Sequence, residues 1–470
     1  MVSLAPVKIT RVRNFTQYKK FTNPQKFSQI KKLAKKLAKV KITVISATPY
    51  GGGVAEIWHS AIPIFQSLGM DFAWYSIVAP KEFFDVTKKF HNLLQGAVGK
   101  LTEAEQKLYL SVNKKLARDL SQIPTDILLV HDPQPAAIVQ FLPNPKPLSC
   151  WRCHIDTSTT NRTAWDFLKQ FLNSYDHLIF TLPQYVHNEI VNYNNETNEV
   201  YKTKKPNGKT FGNVSIFCPT IDPFDEKLAK IPKNEAFKIL SQFGISKTKH
   251  LIFAPSRFDP FKDPQGIFEM FLLVKKHVPS SQLLFTGPLA FDDPESVKLR
   301  KKLLKKIKRT EGVKIGRDVF VYTNLDGFSY RELAAAYSAA DVVVQKSLAE
   351  GFGLTVTEAS YHGKPVIGSA VGGIAFQIID YYQNPDKATG ILVDITSEDR
   401  GVADAAFWCE MLIKDHKLGK ILGKNARRRV IKNFLHPVAV FNYLNLFNNL
   451  FHLKLKRGKF GAFEEQSYYY

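Results

Sequence analysis

At 470 residues, with 44% hydrophobic and 12% aromatic side chains, the chain is too long for one ordinary core and too apolar for a disordered protein. Two domains of about 200 residues each, with extensions, are expected. No run reaches the roughly 18 apolar residues of a membrane span, Met1 to Phe15 lacks a signal-peptide core, and four cysteines make no disulfide framework, so a reducing, cytoplasmic setting is expected.

The formal net charge of +23 is concentrated in lysine clusters at Lys31 to Lys41, Lys298 to Arg309, Arg427 to Arg429 and Lys454 to Lys459. Residues 1–40 form a basic extension in which Ile30, Leu33, Leu37 and Val40 fall at helical spacing. The lysines then make the solvated side of an amphipathic helix, with peripheral contact to anionic lipid as the secondary reading. No aromatic-interleaved nucleic-acid motif accompanies them, so no nucleic-acid partner is expected, while a homodimer is left open.

The first domain, 41–235, opens on the buried strand Ile42 to Ser46, the turn Gly51-Gly52-Gly53 and a helix from Val54 to Leu68. Strands at Phe72 to Val78, Asp126 to His131, Leu148 to Ile155 and His177 to Leu182 alternate with helices, and the Asn/Lys/Thr-rich stretch 192–210 reads as an exposed insertion. The pattern restarts in 236–435 with strands at His250 to Ser256, Gln282 to Thr286, Val319 to Asn324, Asp341 to Gln345 and Pro365 to Ser369, and helices around Phe268, Leu303, Leu333 and Thr357. Residues 436–470 supply a helix and a Phe/Tyr-rich tail. The fold class expected is α/β, two Rossmann-like, doubly wound parallel-sheet domains facing a cleft, with ligands at the carboxyl ends of the strands.

Several motifs fall at such strand ends. The triple glycine 51–53 leaves room for phosphate or sugar against bare amides, though a tight strand-to-helix turn explains it equally well. His131-Asp132-Pro133-Gln134 and Trp151-Arg152-Cys153-His154-Ile155-Asp156 each follow a strand and offer polar groups to a sugar, against the plainer reading of structural histidines. Cys150 and Cys153 make a lone C-x-x-C, read as a buried strand leading into His154.

Arg257 and Lys262 follow the strand ending at Ser256 and have the form of a clamp for a diphosphate, a planar fork beside a point charge. Glu350-Gly351-Phe352-Gly353-Leu354-Thr355-Val356-Thr357-Glu358 places two carboxylates seven residues apart around a Gly-rich strand-to-helix turn. Such a pair suits hydroxyls on two parts of one extended ligand. No Asp-x-Asp pair occurs, so neither a metal nor a cofactor is expected.

The E-x7-E and R-x4-K pairs resemble those of retaining glycosyltransferases of the GT-B fold. With Gly51 to Glu56, Phe83-Phe84, Thr87-Lys88, His91-Asn92, 131–135 and 151–156, the chain is similar to glycosyltransferring trehalose synthases and to retaining trehalose phosphorylases from about residue 40 to 435. The resemblance implies transfer of glucose from a nucleotide-diphosphate glucose to free glucose. It places Glu350, Gly351, Phe352 and Gly353 on the donor sugar and Glu358 on the ribose, with Gly51, Gly52, Gly53, Leu354 and Thr355 also binding the donor. Arg257 and Lys262 then neutralise the leaving group, His154 contacts the donor glucose, and Asp132 lies near the acceptor with Gln134, Arg152 and Asp156.

Retention follows when the departing phosphate oxygen takes the acceptor's proton on the face it leaves, with positioning and electrostatics as the catalysis. The rival readings are trehalose phosphorolysis, a membrane-associated transferase with another acceptor, and a non-catalytic binder of nucleotide or sugar.

Overall fold

The computed structural model describes residues 2–50, 52–187, 191–194, 199–202, 213–289 and 294–452. The tail at 460–470, the lysines at 454–459, Gly51 and most of 192–210 lie outside them. Two compact units are present: one runs to Thr220 and resumes at His436, the other is Ile221–Leu435. The break thus falls at 220/221 and not at the 235/236 expected from sequence, and the helix from His436 belongs to the first unit.

The first unit holds β1 (Ser3–Pro6), β2 (Lys41–Ser46), β3 (Asp71–Val78), β4 (Ile127–His131), β5 (Leu148–Arg152), β6 (His177–Phe180), the hairpin β7 (Val191–Asn194) with β8 (Glu199–Lys202), and β9 (Asn213–Ile216). Its sheet has the order β1-β3-β2-β4-β5-β6-β9, parallel except for β1, which runs antiparallel along the edge strand β3. β2 and β4 are buried on both faces, which is why they read as unbroken Val/Ile/Leu runs rather than as alternation. The chain leaves β2 for β3 on one side and returns to β4 on the other, so the winding reverses between β2 and β4.

The extension 1–40 is built into this unit. β1 adds a strand, and the lysine-rich helix Pro24–Leu37 buries Ile30, Ala34 and Leu37 while packing against the helix His436–His452. Pro24 at its first position and the Asn23 side chain, accepting from Gln25 N at 2.8 Å, start the helix.

The second unit holds β10 (His250–Pro255), β11 (Ser281–Thr286), β12 (Val319–Tyr322), β13 (Val342–Gln345), β14 (Val366–Ser369) and β15 (Ile391–Val393), all parallel in the order β12-β11-β10-β13-β14-β15. Successive residues of β10 face opposite sides. Ile252 and Ala254 join a core with Phe268, Phe271 and Leu283, whereas Leu251 and Phe253 join one with Phe320, Tyr337 and Val356. Here the winding reverses between β10 and β13, and in such sheets the crevice beyond the strand ends at that point is where ligands bind. Among the described residues no helix is long and apolar enough to cross a membrane.

Candidate functional site

Arg257, Lys262 and the Glu350 loop all follow the two strands flanking the reversal in the second unit. After β10 the chain makes a single turn, Pro260–Lys262, started by the Asp259 side chain accepting from Phe261 N at 2.8 Å. That turn delivers Lys262 to Glu350, with which it forms an ion pair. Both side chains are mostly buried, at 16% and 13% exposure, so the pair is only weakly screened by solvent. Ser347 Oγ approaches the same carboxylate at 3.5 Å. Arg257 is turned differently: its side chain is 52% exposed and its Nη2 lies 3.6 Å from Asp259 Oδ2.

A second ion pair supports the first. Asp263 has a left-handed backbone (φ +44°), caps the helix Pro264–His277 by accepting from Gly266 N at 3.0 Å, and binds Lys346, whose side chain is fully buried. A Cβ on Gly266 would come within 2.2 Å of Asp263 Oδ2 and 2.8 Å of Lys346 Nζ, so a side chain there would displace this ion pair. Lys346 follows β13 directly, which ties the ends of both strands together. Spacing alone had not marked it, because a buried lysine is identified by its partner.

The turn Gly351-Phe352-Gly353 offers backbone rather than side chains. Phe352 is buried edge-on to Phe434, and Gly353 has φ +87°. The helix that follows, Leu354–Tyr361, has no side-chain cap, so its first amides, including those of Leu354 and Thr355, remain donors at the positive end of the dipole. Gln377 braces the turn: its Nε2 donates to Phe352 O at 2.6 Å and Gly353 O at 3.1 Å, while its Oε1 accepts from Thr357 Oγ1 at 2.6 Å. Thr355 Oγ1 is anchored on Gln345 Oε1 at 2.9 Å.

Glu358 is buried and engaged by two residues outside both motifs. Lys227 Nζ lies 2.7 Å from one carboxylate oxygen, and Tyr337 donates its hydroxyl to the other at 2.8 Å. Burial, then the neighbouring Glu358, holds the Tyr337 hydroxyl protonated far above its ordinary range. A carboxylate carries about four acceptor positions, so this leaves two for hydroxyl donors.

In the first unit the strand ends carry a neutral cluster. Trp58 Nε1 donates to His131 Nε2 at 2.9 Å, and His131 Nδ1 lies 2.9 Å from His154 Nε2. Burial, then the Arg152 charge, holds both imidazoles well below the ordinary histidine pKa. Asp132, left-handed at φ +62°, accepts from His154 N at 2.8 Å through Oδ1 and from Trp151 Nε1 at 2.9 Å through its carbonyl. Burial pushes its carboxyl up to about 7, against the lowering effects of the His154 amide and Arg152. At the other strand of this reversal, Gly52 begins the helix Gly53–Ser67, and an added Cβ there would meet nothing within 4 Å. The protein's own packing therefore does not explain that glycine.

The other residues of the first-unit reading are placed differently. Arg152 is 2% exposed and spends its guanidinium on the Phe180 and Phe217 carbonyls, beneath the strand ends. Gln134 Oε1 is buried without a hydrogen-bond partner, and Asp156 accepts from Ser158 N and Oγ in a local turn. Cys150 and Cys153 are buried free thiols, and burial raises both pKa values, so neither is a ready nucleophile. Among the described residues no group of His, Cys, Asp or Glu is placed to hold a metal ion.

Comparison with known proteins divides along the same lines. Residues 44–187 match the model of the trehalose synthase N-terminal domain, and residues 236–429 that of the group 1 glycosyl transferases. The trehalose synthase of Pyrococcus horikoshii is 40% identical over 439 residues, covering 93% of this chain and 97% of that protein. A trehalose phosphorylase of Pleurotus pulmonarius is 24% identical over 83% of this chain but only 57% of its own length. Among solved structures, the alpha,alpha-trehalose 6-phosphate synthase of Burkholderia multivorans superposes with a TM-score of 0.66 at 15% identity, over 87% of this chain and 98% of that one, a likeness of fold of the GT-B type.

Proposed function

The chain belongs to the trehalose synthase family of glycosyltransferases, and on that footing we propose that it makes trehalose from a nucleotide-diphosphate glucose and free glucose with retention at the anomeric carbon. The observation that carries the proposal is the Lys262–Glu350 pair at the winding reversal of the second unit, beside a helix without a side-chain cap and two turns of chain from Glu358. A cation held against a carboxylate is a cation that an incoming diphosphate can recruit.

In this reading Lys262 and the exposed Arg257 take up the charge that develops on the leaving diphosphate, where a desolvated donor is worth far more than in water. The leaving oxygen accepts the acceptor hydroxyl proton as the new glycosidic bond forms on the same face. Glu350 and the amides of residues 352–355 orient the transferred glucose. The ribose hydroxyls donate to the acceptor positions that Lys227 and Tyr337 leave open on Glu358. His154, held neutral by burial, and Asp132 supply hydrogen bonds to sugar hydroxyls.

The test is incubation of the protein with carbon-13 glucose and a panel of nucleotide-diphosphate glucoses, read by NMR for α,α-trehalose. Labelled trehalose with nucleotide diphosphate as co-product is the expected outcome. Trehalose formed from glucose 1-phosphate but from no nucleotide sugar would assign phosphorolysis instead.

A further inference from the structure

We infer that Trp58 and His131 are positioning residues that lock His154 in one tautomer, with its proton on Nδ1, so that it presents a single fixed N–H to a sugar oxygen. The inference rests on the functional reading above for the identity of that oxygen, and on hydrogen-bond arithmetic for the rest.

An indole nitrogen donates and cannot accept. Trp58 Nε1, 2.9 Å from His131 Nε2, therefore requires that nitrogen to be the bare one. A neutral imidazole has one proton, so the proton of His131 sits on Nδ1, which faces His154 Nε2 at 2.9 Å. His154 Nε2 must then accept, and the remaining proton of neutral His154 sits on Nδ1. No described residue is hydrogen-bonded to that Nδ1.

The lock is well built. Trp58 and His131 are each 1% exposed, the two rings meet edge to face at 5.4 Å, and Trp58 is packed among Phe65, Phe72 and Tyr443. The His154 backbone is fixed separately by its amide bond to Asp132 Oδ1. Burial disfavours the imidazolium form at both rings, so the chain of donors ends on a neutral N–H. A neutral donor has a chemical advantage here, because an imidazolium beside a sugar carbon gaining positive charge would oppose the transition state.

The experiment uses the full chain labelled with nitrogen-15 histidine and a two-bond nitrogen–proton correlation spectrum near pH 7, with His154→Gln identifying the His154 signals. Both His131 and His154 are expected to show a protonated Nδ1. Trp58→Phe keeps an aromatic ring and removes only the donor. It is expected to turn His154 into a tautomer mixture and to lower sugar transfer about tenfold, the scale of one net hydrogen bond, while nucleotide diphosphate affinity, a property of the second unit's residues, stays within about twofold. A wild-type spectrum with the His154 proton on Nε2 overturns the lock even if the variant fails to fold, as does a Trp58→Phe spectrum unchanged from wild type. The expected spectra in a protein that transfers no glucose would support the lock and sink the functional reading.

Discussion

The two units repeat one architecture, a parallel sheet whose winding reverses beside its first long strand, yet they equip the strand ends with opposite electrostatics. Beyond β4 and β5 the groups are uncharged histidines and a carboxyl with a raised pKa, tied together by a tryptophan and backbone amides. Beyond β10 and β13 they are ion pairs: Lys262 with Glu350 and Lys346 with Asp263. Fold alone does not decide what a strand end binds. Hydroxyls are well served by neutral donors and acceptors that need no counter-ion, whereas phosphates need cations kept desolvated and poised. On the proposed function, the contrast would make the first unit the sugar-reading half and the second the phosphate-reading half.

The strongest way to break that contrast is to remove a cation from the second unit. Lys262→Ala should lower kcat by about 100-fold, the scale of losing one charge-stabilising donor. Steady-state kinetics with a saturating acceptor provide the measurement. Turnover within about threefold of wild type would show that the pair does not meet leaving-group charge.

A second substitution separates binding charge from structural charge within the same unit. Lys227 and Glu358 have side chains only 9% and 7% exposed, so Lys227→Met strands a buried carboxylate with Tyr337 as its sole partner between these two residues. We expect a loss of about 3 kcal/mol in denaturant unfolding, and recovery of most of it when Glu358→Gln is added, since removing one partner of a buried pair costs more than removing both. A Lys227→Met protein as stable as wild type would mean that Glu358 is solvated by other means.

Much of this arrangement was legible in the sequence. The strands on both sides of each reversal were readable because buried parallel strands are unbroken apolar runs, and both cationic and acidic motifs of the second unit were visible because their members are close in the chain. β1, β9 and β15 were missed, being three or four residues long and carried by a sheet edge or neighbour rather than by their own pattern. Partners distant in sequence escaped as well. Trp58 to His131, Lys227 to Glu358 and Lys346 to Asp263 are contacts that only the fold creates, and the first two pin residues that the motifs did reveal. Arg152, which a motif reading turns toward substrate, is instead held beneath the strand ends by the Phe180 and Phe217 carbonyls, a distinction invisible to spacing.

A further substitution probes the first unit's strand ends by themselves. Asp132 titrates at about 7 in the folded chain against an ordinary value of 3.8, so between those values the folded state holds a proton that the unfolded state releases. The stability this contributes is complete below about pH 4 and is lost as pH rises through about pH 7. His131 and His154 act in the opposite sense, since their depressed values favour the folded state above the ordinary histidine pKa and that contribution is lost on acidification. Their contribution is common to wild type and Asp132→Asn, so the difference between the two proteins isolates the carboxyl. Asn cannot titrate, and the variant should gain on wild type steadily from about pH 4 to pH 7. Tryptophan fluorescence during urea unfolding reports this, because Trp58, Trp74, Trp151 and Trp165 all lie in the first unit and only Trp408 in the second. A difference that stays flat across that range would mean that Asp132 is ionised in the folded chain, and the first unit's strand ends would then carry a charge like those of the second.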